Sequence, residues 1–252
     1  MVGWFGAGLR GLVAHAQEAL SLRRHLLRLP SPWAALVVVW ACASLALWVG
    51  QSTLLQVGGV QTPMLFSFDW QPDLWCTQPW RLWTAAWVHW SGLHLLFNLL
   101  GCAVLVAWGH AADLKLRHTL AWCLAWPLVQ MLLYFSPALP HYGGLSGVLH
   151  AGVAIGCWAL VRQTDTPRRW VGAWVLLGLC LKVALEQPAL RYGLGGGDAL
   201  SPLIGASGWS VASSAHMAGV VVGLACAALV DAIAYLRGRF SPAAPDGTVA
   251  SR

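Results

Sequence analysis

The 252 residues are 58% hydrophobic and 10% charged, with a mean hydropathy of +0.63. Soluble domains carry about 25% charged residues, so this composition excludes an ordinary soluble fold and points to an integral membrane protein. The formal net charge of +6 is spread over separate short segments, which removes the footing for a nucleic-acid partner; the seven cysteines form no CxxC or zinc-like spacing and imply no disulfide framework.

Residues 1–32 hold Arg10, Arg23, Arg24 and Arg28 without a small-residue cleavage site, and read as a retained basic cytoplasmic segment rather than a signal peptide. Six apolar runs follow, near 33–51, 86–109, 118–136, 144–162, 169–187 and 209–235. Each is close to the roughly 20 helical residues that a hydrocarbon core requires. Pro30 and Pro32 mark the start of the first run, and Pro127 lies inside the third, where a kink is expected. Residues 33–235 are read as one membrane domain and 236–252 as a cytoplasmic tail. The fold class is therefore an all-α membrane bundle of six transmembrane helices.

Charge sets its orientation. Twelve of the fifteen Lys and Arg lie in the N-terminal segment, the 110–117 and 162–169 loops and the C-terminal tail, leaving Arg81, Arg191 and Lys182 for the other side. Positive charge marks the cytoplasmic side, so both termini are expected inside. The outer loop 52–85 and the start of the second run hold Trp70, Trp75, Trp80, Trp83, Trp87 and Trp90, and are expected to lie in the membrane interface. A second outer loop, 188–208, with Gly193, Gly195, Gly196 and Gly197 ahead of Asp198 and Pro202, suits either a mobile cap or a plain linker.

Polar side chains inside such runs are costly and mark function. Ser146 stands between Leu145 and Gly147, two residues after Gly144, at the head of the fourth run. A membrane serine also serves helix packing, so Ser146 alone decides little. His216 adds the missing chemistry. It sits where Ala215, Gly219 and Gly223 recur at four-residue spacing, and Gly147 and Ala151 offer a matching small face. Close approach of these two helices brings Ser146 and His216 together as nucleophile and general base. Asp198 lies in the loop, Asp231 near the inner end, and Glu186 pairs with Lys182 one helical turn away, so a Ser–His dyad without an acid is expected. His94 and Asn98 share a face of the second run and could donate, with the Ser146 N–H, to an oxyanion. His150, one turn beyond Ser146, is placed to bond into the site or stack on His216.

These residues resemble the rhomboid family of intramembrane serine proteases. The matching elements are Trp80-Arg81, His89, His94-xxx-Asn98, Gly144-x-Ser146-Gly147 and Ala215-His216-xx-Gly219-xxx-Gly223, in order and over residues 33–235. The resemblance implies Ser146 as nucleophile, His216 as base, and His94 and Asn98 as oxyanion donors. Many rhomboids carry a tyrosine where this chain has His150; together with Lys182-x-x-x-Glu186, that departure is similar to the rhombosortase branch. The branch implies bacterial inner-membrane enzymes acting on single-span membrane proteins that bear a C-terminal Gly-Gly-type sorting segment, with the active site opening to the periplasmic side. No cofactor or metal is expected, the lipid bilayer is the other partner, and nothing in the sequence sets an oligomeric state. Two rival readings remain: a rhomboid-like protein that binds membrane segments without cleaving them, and a haem or metal protein using the seven histidines from His89 to His216.

Overall fold

The computed structural model describes residues 31–58, 65–136, 139–186 and 213–240. The basic segment 1–30, the glycine-rich loop 188–208 and the tail from residue 241 lie outside the described residues. Seven α-helices occur among the described residues: α1 Pro32–Gly58, α2 Arg81–Thr84, α3 Gly92–Ala111, α4 Leu116–Leu132, α5 Ser146–Val161, α6 Thr166–Glu186 and α7 Ser213–Phe240. No strand occurs among them; one isolated antiparallel bridge joins Trp70 and Tyr142.

Four helical stretches, Pro32–Gly50, Gly92–Ala111, Leu116–Phe135 and Ser213–Arg237, are long and apolar enough to cross a membrane. α5 and α6 occupy the places of the fourth and fifth expected spans. α5 has 16 residues, about 24 Å of helix, which is shorter than a hydrocarbon core of roughly 30 Å. α6 has 21 residues and includes Arg168, Arg169, Lys182 and Glu186, which lower its hydropathy.

Three boundaries move. α7 runs to Phe240, past the expected end at 235 and into the expected tail. α1 runs to Gly58, beyond the expected end at 51. The second span begins at Gly92 rather than 86, because Ser91 caps it, its side chain accepting from His94 N at 3.1 Å. Residues 81–87 form instead the short turn α2 and a 3-10 turn, Ala85–Trp87, after which Val88 is extended. Pro127 lies within α4, which continues past it to Leu132.

α5 is the centre of the bundle. Val148, Ala151, Ala154, Ile155 and Cys157 are all fully buried, and α3, α4, α6 and α7 all pack on it. Tryptophans knit the outer helices to this core. Trp33 of α1 stacks on Trp122 of α4 with ring centroids 3.9 Å apart, and donates through Nε1 to Leu105 O of α3 at 2.8 Å. Gly109 makes room, since a Cβ there would fall 2.2 Å from the Trp33 ring. Trp122 in turn donates to Val148 O at 2.7 Å. The opposite faces of α1 and α3 expose Val38, Val39, Leu93, Leu96, Phe97, Leu100 and Val104, as helices bordered by lipid do.

The segment between α1 and α3 is ordered by one buried carboxylate. Asp69 is fully buried and accepts from Arg81 Nη1 at 2.9 Å, Gln71 Nε2 at 2.8 Å and His141 Nδ1 at 2.6 Å. Trp70 and Tyr142 exchange backbone bonds of 2.7 and 3.0 Å. The loop is thereby fastened to the residues that lead into α5. Trp70 is buried within it, whereas Trp75, Trp80, Trp83 and Trp90 remain between 39 and 48% exposed, the half-wet condition suited to an interfacial ring.

Candidate active site

The approach to α5 requires glycine twice. A Cβ on Gly143 would lie 2.7 Å from Val88 Cγ1. Gly144 has φ +137°, where side chains are strained, and its Cβ would lie 2.8 Å from the His94 ring and 3.8 Å from Asn98 Nδ2. Gly144 N donates to Ala85 O at 2.9 Å, and the buried Tyr142 hydroxyl donates to Gly144 O at 3.1 Å. Burial pushes the Tyr142 phenol up, while the Ser146 side chain and the Gly147 N–H beside it pull the other way. Two residues after this fixed glycine, Ser146 opens α5, so the N–H groups of the first turn have no intrahelical acceptor and sit at the positive end of the helix dipole.

α7 crosses α5 at this turn in backbone contact. A Cβ on Gly219 would lie 2.1 Å from Gly147 O, one on Gly223 2.6 Å from Ala151 O, and one on Gly147 2.9 Å from Ala215 O. The small ladder seen in the sequence is the seam itself. It carries His216, itself buried, to the head of α5, where its ring lies flat on that of His150 with centroids 4.1 Å apart and planes inclined by 12°.

Hydrogen positions in this cluster follow from donor chemistry. A lysine ammonium can only donate. Lys182 Nζ lies 2.6 Å from His150 Nε2, which must accept, so His150 keeps its hydrogen on Nδ1 and donates it to Ser146 O at 2.7 Å. Lys182 Nζ also meets Glu186 Oε1 at 3.0 Å. The second carboxylate oxygen, Oε2, lies 2.7 Å from His216 Nδ1, which therefore carries a hydrogen. The 3.3 Å approach of Lys182 Nζ to that same nitrogen sets two donors side by side and is no hydrogen bond. In neutral His216 the lone pair is then on Nε2, the tautomer a general base needs.

This corrects the expectation that no acid accompanies the histidine. The Lys182–Glu186 pair forms as the spacing implies, but it uses one carboxylate oxygen and leaves the other for His216. The available signal was the presence of two charges in the apolar stretch after Arg169. Tyr142 is the other residue that sequence reasoning missed.

On the far side of Gly144, His94 and Asn98 lie on one face of α3 against it. Asn98 is 4% exposed and its Nδ2 has no partner among the described residues. A buried donor left unmade costs about 1–3 kcal/mol, which a fold tolerates where the donor has another use. His89 stands behind His94, ring centroids 4.9 Å apart, held by its Nδ1 on Trp87 O at 3.0 Å.

Ser146, His150, His216, His94 and Asn98 thus come together around the head of α5. Comparison with curated proteins finds no match. The Rhomboid domain family matches residues 76–232, more than half of the chain, and that stretch contains α3 through most of α7 and every side chain of the cluster. With its long apolar helices this is an integral, multi-pass membrane protein, and the chain belongs to the rhomboid family.

Proposed function

We propose that the chain is an intramembrane serine endopeptidase with Ser146 as nucleophile and His216 as general base. The observation that carries this reading is the hydrogen-bonding state of His216. Its Nδ1 is committed to Glu186 at 2.7 Å while its ring lies on His150, one turn from Ser146. His216 Nε2 takes the Ser146 proton as the hydroxyl oxygen attacks the substrate carbonyl. The resulting oxyanion is met by the Ser146 N–H, Asn98 Nδ2 and His94, and such donors are each worth about 3–4 kcal/mol when aimed at the transition state. His216 returns the proton to the leaving amine, and water then hydrolyses the acyl-enzyme by the same route in reverse.

The reading extends to six membrane spans with both termini in the cytoplasm, by the distribution of basic residues. The head of α5 then faces outward, below the surface because the helix is short. The substrate is a single-span membrane protein that approaches through the bilayer and unwinds near its outer end. His150 and Lys182-x-x-x-Glu186 favour the rhombosortase branch, hence a C-terminal Gly-Gly-type sorting segment as substrate and a bacterial inner membrane as location. The rival reading, a rhomboid-like protein that only binds membrane segments, predicts no covalent chemistry.

A serine-directed phosphonate separates the two. The parent in detergent is expected to be labelled at Ser146, and Ser146→Ala and His216→Ala are expected to remain unlabelled and to leave a Gly-Gly-tailed substrate uncut. Cleavage that persists in both variants would sink the proposal.

A further inference from the structure

We infer that Glu186 is the positioning acid of the site, a third member delivered by α6, and that Lys182 links that carboxylate to the second histidine, His150. The inference rests on the protease reading and adds to it a group that holds the base in its working tautomer.

Three helices meet here. The nucleophile comes from α5, the base from α7, and both charged side chains from α6. Glu186 Oε2 receives His216 Nδ1–H at 2.7 Å, and its Oε1 receives Lys182 Nζ at 3.0 Å. Lys182 Nζ also donates to His150 Nε2 at 2.6 Å, so His150 must present Nδ1–H to Ser146 O. The chain of donors therefore runs in one direction on each branch, with every tautomer determined by the lysine or the carboxylate. The titratable groups facing His216 among the described residues are Glu186 and Lys182 from α6, His150 from α5 and, at longer range, His94 from α3. Of these, only Glu186 can accept from Nδ1.

This matters for the reaction because a histidine base fails when its hydrogen sits on the nitrogen that should receive the serine proton. In serine proteases, losing the carboxylate that fixes the tautomer costs about 10⁴-fold. Glu186 is only partly buried, its side chain 24% exposed, so water can replace some of its effect, and a loss of about 10²-fold is expected. Without it, His216 is free to carry its hydrogen on Nε2, the nitrogen that the proposed step needs as acceptor. During attack the ionised carboxylate also faces the imidazolium formed when His216 accepts the proton, so the charge produced by the step is met within one hydrogen bond.

The test compares the rate of phosphonate labelling at Ser146 for the purified full chain and for Glu186→Ala, Glu186→Gln and Glu186→Asp. A ¹⁵N spectrum of histidine-labelled protein is recorded alongside, with the His216 signals assigned by their loss in His216→Asn. The expected result is labelling slowed about 10²-fold in Glu186→Ala and Glu186→Gln. Glu186→Asp should recover to within roughly tenfold of the parent, and the Nδ1–H signature of His216 should be lost in Glu186→Ala. Lys182→Met should slow labelling less than Glu186→Ala and should alter the His150 signals. Labelling of Glu186→Ala at the parent rate would overturn the inference. So would slowed labelling with an unchanged His216 tautomer, which would indicate a packing role. A parent that is not labelled at all would instead sink the protease reading, and the tautomer comparison would still decide whether Glu186 sets His216.

Discussion

The two ends of α5, outer and inner on the proposed orientation, each lie beside a cluster organised around a carboxylate from a neighbouring helix, but the two clusters are built differently. At the inner end Asp231 of α7 accepts from Trp158 Nε1 at 2.9 Å and pairs with Arg162 Nε at 3.1 Å and Arg117 Nε at 3.8 Å. These three donors are gathered from α5 and the start of α4 onto one acid; Arg117 Nε also donates to His118 Nε2 at 3.2 Å, and the cluster lines a cavity of about 490 Å³. At the outer end Glu186 also collects two donors, from Lys182 and His216, but Asn98 of α3 keeps a buried Nδ2 without a partner among the described residues. A carboxylate that gathers donors from neighbouring helices clamps those helices together. A buried donor left without a partner is available to a molecule that is not part of the chain. On the proposed function, the same residue types serve packing at one end and chemistry at the other.

The contrast is tested first where the largest effect is expected. Ser146→Ala and His216→Ala should each lower cleavage by at least about 10³-fold, while the thermal midpoint in detergent changes by only a few degrees. Equal losses of activity and stability would mean that the outer cluster is a clamp as well. Asn98→Ala comes next. Removing one oxyanion donor costs about 10²–10³-fold in kcat, yet it also deletes a buried donor with no partner, so stability should hold or rise. A fall in both kcat and thermal midpoint would show that Asn98 serves the fold.

How much of this could be read from the chain follows the range of each interaction. The small ladder Ala215, Gly219 and Gly223 was legible because it repeats every four residues, and it forms the α5–α7 seam. The start of α3 was misplaced because Ala86, Trp87, Val88 and Trp90 are apolar enough to extend a hydropathy run, although Ser91 caps the helix later. Glu186 was misread for a subtler reason: the i,i+4 rule pairs it with Lys182 correctly but says nothing of its second oxygen, whose partner His216 is 30 residues away. The Asp69–His141 contact spans 72 residues and has no local signature at all. Periodic packing is written locally, whereas the partners of a multidentate carboxylate are set by the tertiary fold.

The seam between the clusters gives a third expectation. Alanine is normally better than glycine in a helix by about 1 kcal/mol. At Gly178 on α6 a Cβ meets nothing within 4 Å, so Gly178→Ala should gain about that amount. At Gly219 the same methyl would lie 2.1 Å from Gly147 O, a backbone atom that can yield only by separating the helices. Overpacking costs about 1–3 kcal/mol and should outweigh the helical gain, so Gly219→Ala is expected to be destabilised. Unfolding in a graded denaturing detergent mixture reads both variants, and equal behaviour would deny the close crossing that brings His216 to α5.

The smallest effect belongs to the inner cluster. Asp231→Asn keeps the side-chain volume and one acceptor but removes the charge that Arg117 and Arg162 share. Those arginines are 55 and 60% exposed, and exposed ion pairs typically contribute only about 0–1 kcal/mol. The Trp158 bond to the acid, partly shielded, adds a charge-assisted contribution of about 1.5–3 kcal/mol, some of which an asparagine oxygen retains. A net loss of about 1–2 kcal/mol is therefore expected, seen as a modest shift in unfolding and weakened further by added salt in the parent. Phosphonate labelling at Ser146 should stay within about twofold of the parent, because that loss falls on a clamp at the opposite end of α5 from the reacting groups. A large fall in labelling with little change in unfolding would couple the two ends and make the Asp231 cluster part of the catalytic machinery.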